Sequence, residues 1–248
     1  MNESVKRIDV KGLHGTWSYE APNWADQFPI VMGDTYRHGG VSEAPYKSLN
    51  LAFHVGDEAQ NVRANRAIVA DYLGVDPKRI SCGNQVHGLK AVEITEDFVG
   101  AGALGEDTAI ADCDAVFTRL PNVPLFLFTA DCVGVGIYDA KHHAIATVHA
   151  GWRGAIGHLP VLTIEAMKET YGTEFKDCYV YLGPSIGPES FEVDVELGKR
   201  FELAWQAMTE RNAADVVNYP GDKLDKAYIN LWNFIAEGLI VNGVPREH

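Results

Sequence analysis

Two neighbouring stretches, Val133 to Tyr138 and His143 to Val148, are strand-like in their apolar and β-branched content and are separated by Asp139-Ala140-Lys141-His142. That arrangement predicts a β-hairpin. With the turn centred between Ala140 and Lys141, Cys132 falls directly opposite His149. Opposed side chains of this kind hold their Cβ atoms about 4.5–5.5 Å apart. Further short strands are predicted at Lys90 to Thr95, Asp114 to Thr118, Leu125 to Thr129 and Cys178 to Leu182. Leu125 to Thr129 is apolar on both faces, the pattern of a central strand.

Helical spacing appears in Val62, Ile68, Val69, Tyr72 and Leu73, behind an opening Asp57-Glu58-Ala59-Gln60 in which Asp57 serves as N-cap and Gln60 stands three residues on. Gly74 and Pro77 end that helix. Pro160 to Tyr171, closed by Gly172, and Glu196 to Met208 predict two more, and Leu224, Tyr228, Leu231 and Ile235 predict a last one stopped by Gly243 and Pro245. Glu96 to Ala111 reads as loop, Gly151-Trp152-Arg153-Gly154 as a turn and Gly183 to Pro188 as a connection. Strands and helices mix without a strict βαβ rhythm, and no Walker sequence is present. An α/β (α+β) fold with a mixed sheet covered by helices follows, rather than a doubly wound nucleotide fold.

Composition narrows this further. A chain of 248 residues without a Pro/Gly/Ser-rich linker is read as one domain, residues 1–248. A net charge of −13 argues against an extended nucleic-acid surface, which needs clustered Lys and Arg, but leaves room for a local anion pocket. Met1 to Val10 has no apolar core of a signal peptide, and the longest apolar run, around Leu125 to Phe128, is too short to span a bilayer. Four cysteines without CxxC spacing point to free thiols in a reducing compartment, so a cytoplasmic protein is expected.

The candidate chemistry lies at two addresses: His87 in Asn84-Gln85-Val86-His87-Gly88, and the hairpin pair Cys132 and His149. Two imidazoles and a thiolate suit a transition metal, zinc first. Singly, each has an ordinary reading, since a His beside Gly is commonly just hydrogen-bonded and a lone Cys is commonly a small buried apolar residue. Arg153, between glycines at the end of a strand, suits a phosphate or carboxylate, or else a surface ion pair. Asp131 is placed to orient His149, to act as a base, or only to cap the strand end.

Arg37-His38-Gly39-Gly40-Val41-Ser42, Ser48-Leu49-Asn50-Leu51, Asn84 to Gly88, Thr129-Ala130-Asp131-Cys132 and His149-Ala150-Gly151-Trp152-Arg153-Gly154 together resemble the YfiH-type laccase-domain proteins. Gly183 to Val193 is similar to that family's Gly-Pro-x-Ile-Gly segment. Members have been described as multicopper polyphenol oxidases and as purine nucleoside phosphorylases with adenosine deaminase activity. The resemblance implies a four-layer α/β/β/α sandwich, a metal at His87, Cys132 and His149, and substrate or anion contacts at Arg37, Asn50, Gln85 and Arg153. Two departures stand out. The family often has Cys where this chain has Glu189 or Ser190, and often continues into an Arg-containing strand after its last helix, whereas this chain stops at His248.

Three chemistries fit a His₂Cys set. Zinc with three protein ligands keeps an open position and acidifies a bound water, as deamination of adenine at C6 requires. That deamination also needs an acid or base, for which Asp131 and Glu192 are candidates, whereas phosphorolysis would instead place phosphate beneath C1′ with Arg153 as its anchor. The usual zinc deaminases carry H-x-E and P-C-x-x-C, and this chain has neither. Copper-dependent phenol oxidation is the runner-up, because His₂Cys also makes blue copper centres. Nine histidines without a single His-x-His pair argue against a full multicopper centre. The third is a hydrolase of an amide or ester, such as a cell-wall precursor, with Cys132 as nucleophile and His149 as base. The expected reading is thus a zinc-dependent purine nucleoside enzyme acting on a small molecule.

Overall fold

The computed structural model describes residues 4–12 and 15–248. A hairpin of β1 (Val5–Gly12) and β2 (Gly15–Pro22), joined by the short β3 (Asp34–Thr35), comes first, then helix α1 (Ala59–Leu73). Next come β4 (Ala91–Glu93), β5 (Ala115–Thr118), β6 (Val133–Asp139) and β7 (Ala144–Ala150). Helices α2 (Trp152–Ile156) and α3 (Leu159–Tyr171) lead into β8 (Cys178–Leu182) and β9 (Glu192–Asp194). Helix α4 (Val195–Thr209), β10 (Val217–Asn218), β11 (Lys226–Ile229) and α5 (Leu231–Val241) complete the chain.

The central sheet runs β4-β5-β7-β6-β8, parallel only between β4 and β5, so it is mixed as expected. Period-two alternation divides its two faces. Val133, Val135 and Ile137 of β6, with Ala146, Val148 and Ala150 of β7, face the helical side and share a core with Leu159, Ile164 and Met167 of α3 and Phe234 of α5. On the other face Tyr138 and Tyr179 meet Phe28, and Met32 lies so close to Gly136 that a Cβ there would sit 2.6 Å from its sulfur. Glycine at 136 is what allows this approach. Beyond this second layer, Trp17 and Tyr19 of β2 pack against Val69 and Ile68 of α1. The order helix, sheet, sheet, helix is the expected α/β/β/α sandwich.

Several local expectations change. The hairpin turn is centred one residue later: Asp139 pairs with Ala144, and His149 lies opposite Gly134 rather than Cys132. The buried Asp139 carboxylate accepts the N–H groups of Lys141 (2.9 Å) and His142 (3.1 Å) and pairs with His142 Nδ1 at 2.7 Å. That hydrogen bonding draws Asp139 into the last strand pair. The resulting register shift is two residues, so Cys132 stays on the face that carries His149, at a diagonal position.

Leu125 to Thr129 is not a strand. Leu125 forms one isolated bridge with Ser81, and the backbone N–H and C=O of Phe128 are both taken by the Gln85 side-chain amide, at 2.9 and 2.8 Å. A side chain here stands where a strand partner would be. The final helix begins only at Leu231, because Asn230 caps it through Asn233 N (3.0 Å); Tyr228 belongs to β11 and Leu224 is 87% exposed. Glu58, not Asp57, is the N-cap of α1, while Gly74 closes that helix in the left-handed region as expected. Gly151 to Gly154 enters the short helix α2 instead of a plain turn.

Candidate metal centre

His87, Cys132 and His149 each present a ligand atom, and the three atoms lie within 4.8 Å of one another. Cys132 Sγ is 3.8 Å from His87 Nε2, and the two imidazole rings meet edge to face with centroids 4.7 Å apart. His149 is buried, Cys132 half-buried and His87 exposed, so the group opens to solvent on one side.

A residue that sequence reasoning passed over organises it. Asp114 is only 3% exposed and lies directly across the β5–β7 ladder from His149, whose backbone N–H donates to the Asp114 carbonyl at 2.7 Å. The cross-strand partnership expected for Cys132 thus belongs to Asp114. Its Oδ1 accepts from His149 Nδ1 at 2.8 Å, fixing the tautomer that leaves Nε2 free to ligate. The same carboxylate accepts three successive backbone N–H groups, those of Val86 (3.1 Å), His87 (2.9 Å) and Gly88 (2.8 Å). His87 has φ of 60°, and this left-handed residue turns the neighbouring N–H groups inward as an anion-holding nest. Left-handed backbone costs a non-glycine residue about 1–2 kcal/mol, which the charge-assisted hydrogen bonds offset. One carboxylate therefore positions two of the three ligands. Asp131, for which orienting His149 is one of three roles the sequence leaves open, is exposed, and the hydrogen bond to His149 Nδ1 belongs to Asp114. A cross-strand carboxylate at the start of the predicted strand Asp114 to Thr118 was the available signal.

The electrostatics suit a cation. Burial favours the neutral Cys132 thiol, and the charges of Asp131 and Asp114 push its pKa up further. Burial favours neutral His149, and outweighs the opposing pull of Asp114, so its pKa falls. For Asp114 the balance reverses: burial alone would raise it, but the hydrogen bonds from His149 and from the Gly88 and Val86 backbones hold it below the usual carboxylate range. Neutral imidazole and an ionised carboxylate behind it are the forms a metal needs, and a bound cation would be what holds the thiolate. Gly151 completes the fit, since a Cβ there would lie 2.9 Å from Cys132 Sγ and 3.1 Å from His87 Cδ2.

Above this group lies a cavity of about 170 Å³. His87, Cys132 and Asp131 line one side, Ile186, Phe191 and Leu231 form an apolar wall, and Trp152 and Arg153 stand beside them. The Arg153 guanidinium stacks 4.3 Å from the Trp152 ring. The remaining expected site residues are not among those lining this cavity. Arg37 is exposed, with Nε donating to Lys47 O (2.9 Å), and Asn50 donates to Ala52 O (3.0 Å) and Asp57 Oδ2 (2.9 Å). Gln85 lines a second cavity of about 130 Å³, next to Arg66 and Phe128. Glu192 is held by Lys223 and by Tyr228 OH.

Fold and site together define a class: an α/β/β/α sandwich with a His₂Cys cluster beside a small-molecule cavity. The chain belongs to the multi-copper polyphenol oxidoreductase laccase family, whose sequence profile matches residues 31–248. It is 33% identical over 213 residues to a Bacteroides thetaiotaomicron protein named purine nucleoside phosphorylase, covering 85% of this chain and 76% of that one. It is also 33% identical over 165 residues to the purine nucleoside phosphorylase YlmD of Bacillus subtilis, covering 66% of this chain and 59% of that protein. The crystal structure of Bacillus licheniformis YfiH superposes with a TM-score of 0.86 at 25% identity, over 99% of this chain and 86% of that one. Geobacillus stearothermophilus YlmD superposes with a TM-score of 0.83 at 28% identity, over 93% and 83%. Among the described residues, no helix is long and apolar enough to cross a membrane.

Proposed function

We propose that this protein is a zinc-dependent purine nucleoside phosphorylase that also deaminates adenosine. The observation that carries this is the His87–Cys132–His149 cluster, oriented by one buried Asp and open to a cavity whose rim carries Arg153. The names borne by the relatives support the substrate class. In phosphorolysis a phosphate oxygen forms a bond to C1′ as the bond to purine N9 breaks, and a proton is delivered to the departing base. Arg153 holds the phosphate through its guanidinium edge, Asp131 on the cavity wall supplies the acid–base group, and Ile186, Phe191 and Leu231 exclude water around the base. His87, Cys132 and His149 would hold the zinc, which would supply the Lewis acidity that hydrolytic loss of the C6 amino group requires. The cytoplasm, with its free nucleosides and phosphate, is the proposed location.

The test is metal analysis of protein purified without added metal, together with adenosine and phosphate assayed for adenine, inosine and hypoxanthine. Near-stoichiometric zinc and phosphate-dependent release of base, both lost in Cys132→Ala, are the expected results. Copper reconstitution that turns over phenols while nucleosides stay intact would replace this reading with the oxidase that the family description names. The thiol-hydrolase alternative is disfavoured by the raised Cys132 pKa, since a nucleophilic thiol needs the opposite shift.

A further inference from the structure

Trp152 carries a second guanidinium. Arg200, on α4, lies 5.2 Å from the indole centroid that also carries Arg153. Most other arginines are engaged: Arg37, Arg63, Arg66 and Arg79 donate to backbone carbonyls, and Arg7, Arg211 and Arg246 pair with carboxylates. The guanidinium groups of Arg153 and Arg200 make no hydrogen bond or ion pair with any of the described residues, and their one assigned contact is the indole. A guanidinium stacked on an aromatic face uses its plane for the ring and keeps its edge, a planar fork of N–H donors, free for a carboxylate or phosphate. Trp152 and Arg153 line the cavity beside the metal cluster, and Arg200 brings a second free fork to the same indole, so positive charge gathers here in a chain whose net charge is −13.

We propose that Arg153 and Arg200 form a two-armed site for a phosphate dianion, with Trp152 as its platform. This deepens the phosphorolysis reading and rests on it for the role of the anion. Nearby acids leave the pair free: Glu196, one helical turn before Arg200, is taken by Lys199 at 2.9 Å, and Asp131 faces the cavity without pairing to either arginine. The anion is either free phosphate, the co-substrate, or the phosphoryl group of a nucleoside monophosphate.

The experiment is calorimetric and tryptophan-fluorescence titration of the metal-loaded protein with inorganic phosphate and, separately, with AMP, in wild type, Arg153→Gln, Arg200→Gln and Arg200→Lys. Removing one charge-assisted fork should weaken anion binding about tenfold in either Gln variant, with Arg200→Lys recovering only part because an ammonium lacks the fork. Added salt should shrink the difference. Tighter binding of inorganic phosphate assigns the site to the co-substrate, and tighter binding of AMP assigns it to a phosphomonoester. If Arg200→Gln lowers thermal stability but leaves both affinities unchanged, Arg200 is only a brace for Trp152 and the proposal fails. If no nucleoside is cleaved yet phosphate binding still falls tenfold in Arg200→Gln, the phosphorolysis reading fails and the anion site stands.

Discussion

The β6–β7 hairpin carries an Asp–His pair at each end, and only one of them makes a site. At the turn, His142 Nδ1 meets Asp139 Oδ2 at 2.7 Å; at the open end, His149 Nδ1 meets Asp114 Oδ1 at 2.8 Å. Both carboxylates are fully buried, and hydrogen bonding outweighs burial to lower the pKa of each. The pairs differ in where their other donors come from. Asp139 collects the N–H groups of Lys141 and His142, two and three residues away, and so shapes its own turn. Asp114 collects N–H groups from a loop 26 to 28 residues away and brings His87 next to His149. An Asp–His pair stabilises; it becomes a candidate centre only where its carboxylate gathers a second ligand from elsewhere in the chain.

Substitution of the two carboxylates tests this most strongly. Asp114→Asn is expected to weaken metal binding about 10–100-fold, the usual consequence of losing a carboxylate behind a ligating His, whereas Asp139→Asn should leave metal affinity within error while costing about 1–3 kcal/mol of stability. Competitive chelator titration alongside urea unfolding separates the two effects, and equal losses of affinity would erase the distinction between the ends. A smaller effect is expected from Gly151→Ala, whose methyl contacts Cys132 Sγ and His87: a loss of about 1–3 kcal/mol from overpacking, with metal affinity reduced because the ligands must part to admit it.

The acid side of the stability profile sharpens the contrast. Because the Asp139 carboxyl is held below its ordinary value, it contributes stability that is fully present above about pH 4 and is lost as the pH falls through the depressed value. The stability difference between wild type and Asp139→Asn should therefore shrink below pH 4. Asp34 behaves in the opposite sense. Burial pushes its pKa up to about 6, against the hydrogen bond from Tyr181 and with help from the Glu20 charge. Stability linked to Asp34 is thus present at low pH and declines as the pH rises from about 4 to 6, and Asp34→Asn should remove that decline. Chemical unfolding at several pH values measures both, and a wild-type decline that persists in Asp34→Asn would show that it belongs to another group.

Much of the local structure was legible. Strand β8 and the Gly74 and Gly172 helix ends were read correctly because short-range backbone preference determines them. Where side chains replaced backbone partners, the reading failed. The Gln85 amide clamps Phe128, so an apolar run that looks like a central strand never joins a sheet. The Asp139 cap moved the hairpin turn, yet left Cys132 and His149 on one face because the shift was even.

By itself the sequence determined the ligand types and the alternation that sends Cys132 and His149 to the same side of one hairpin, since side-chain direction along a strand follows a period of two whatever else the chain does. Only the tertiary structure decided that His87, 45 residues before Cys132, joins them, and that Asp114 rather than Asp131 holds His149. Convergence across that distance depends on which segments pack together and where a buried carboxylate finds donors, and no local pattern of apolar and polar residues encodes it.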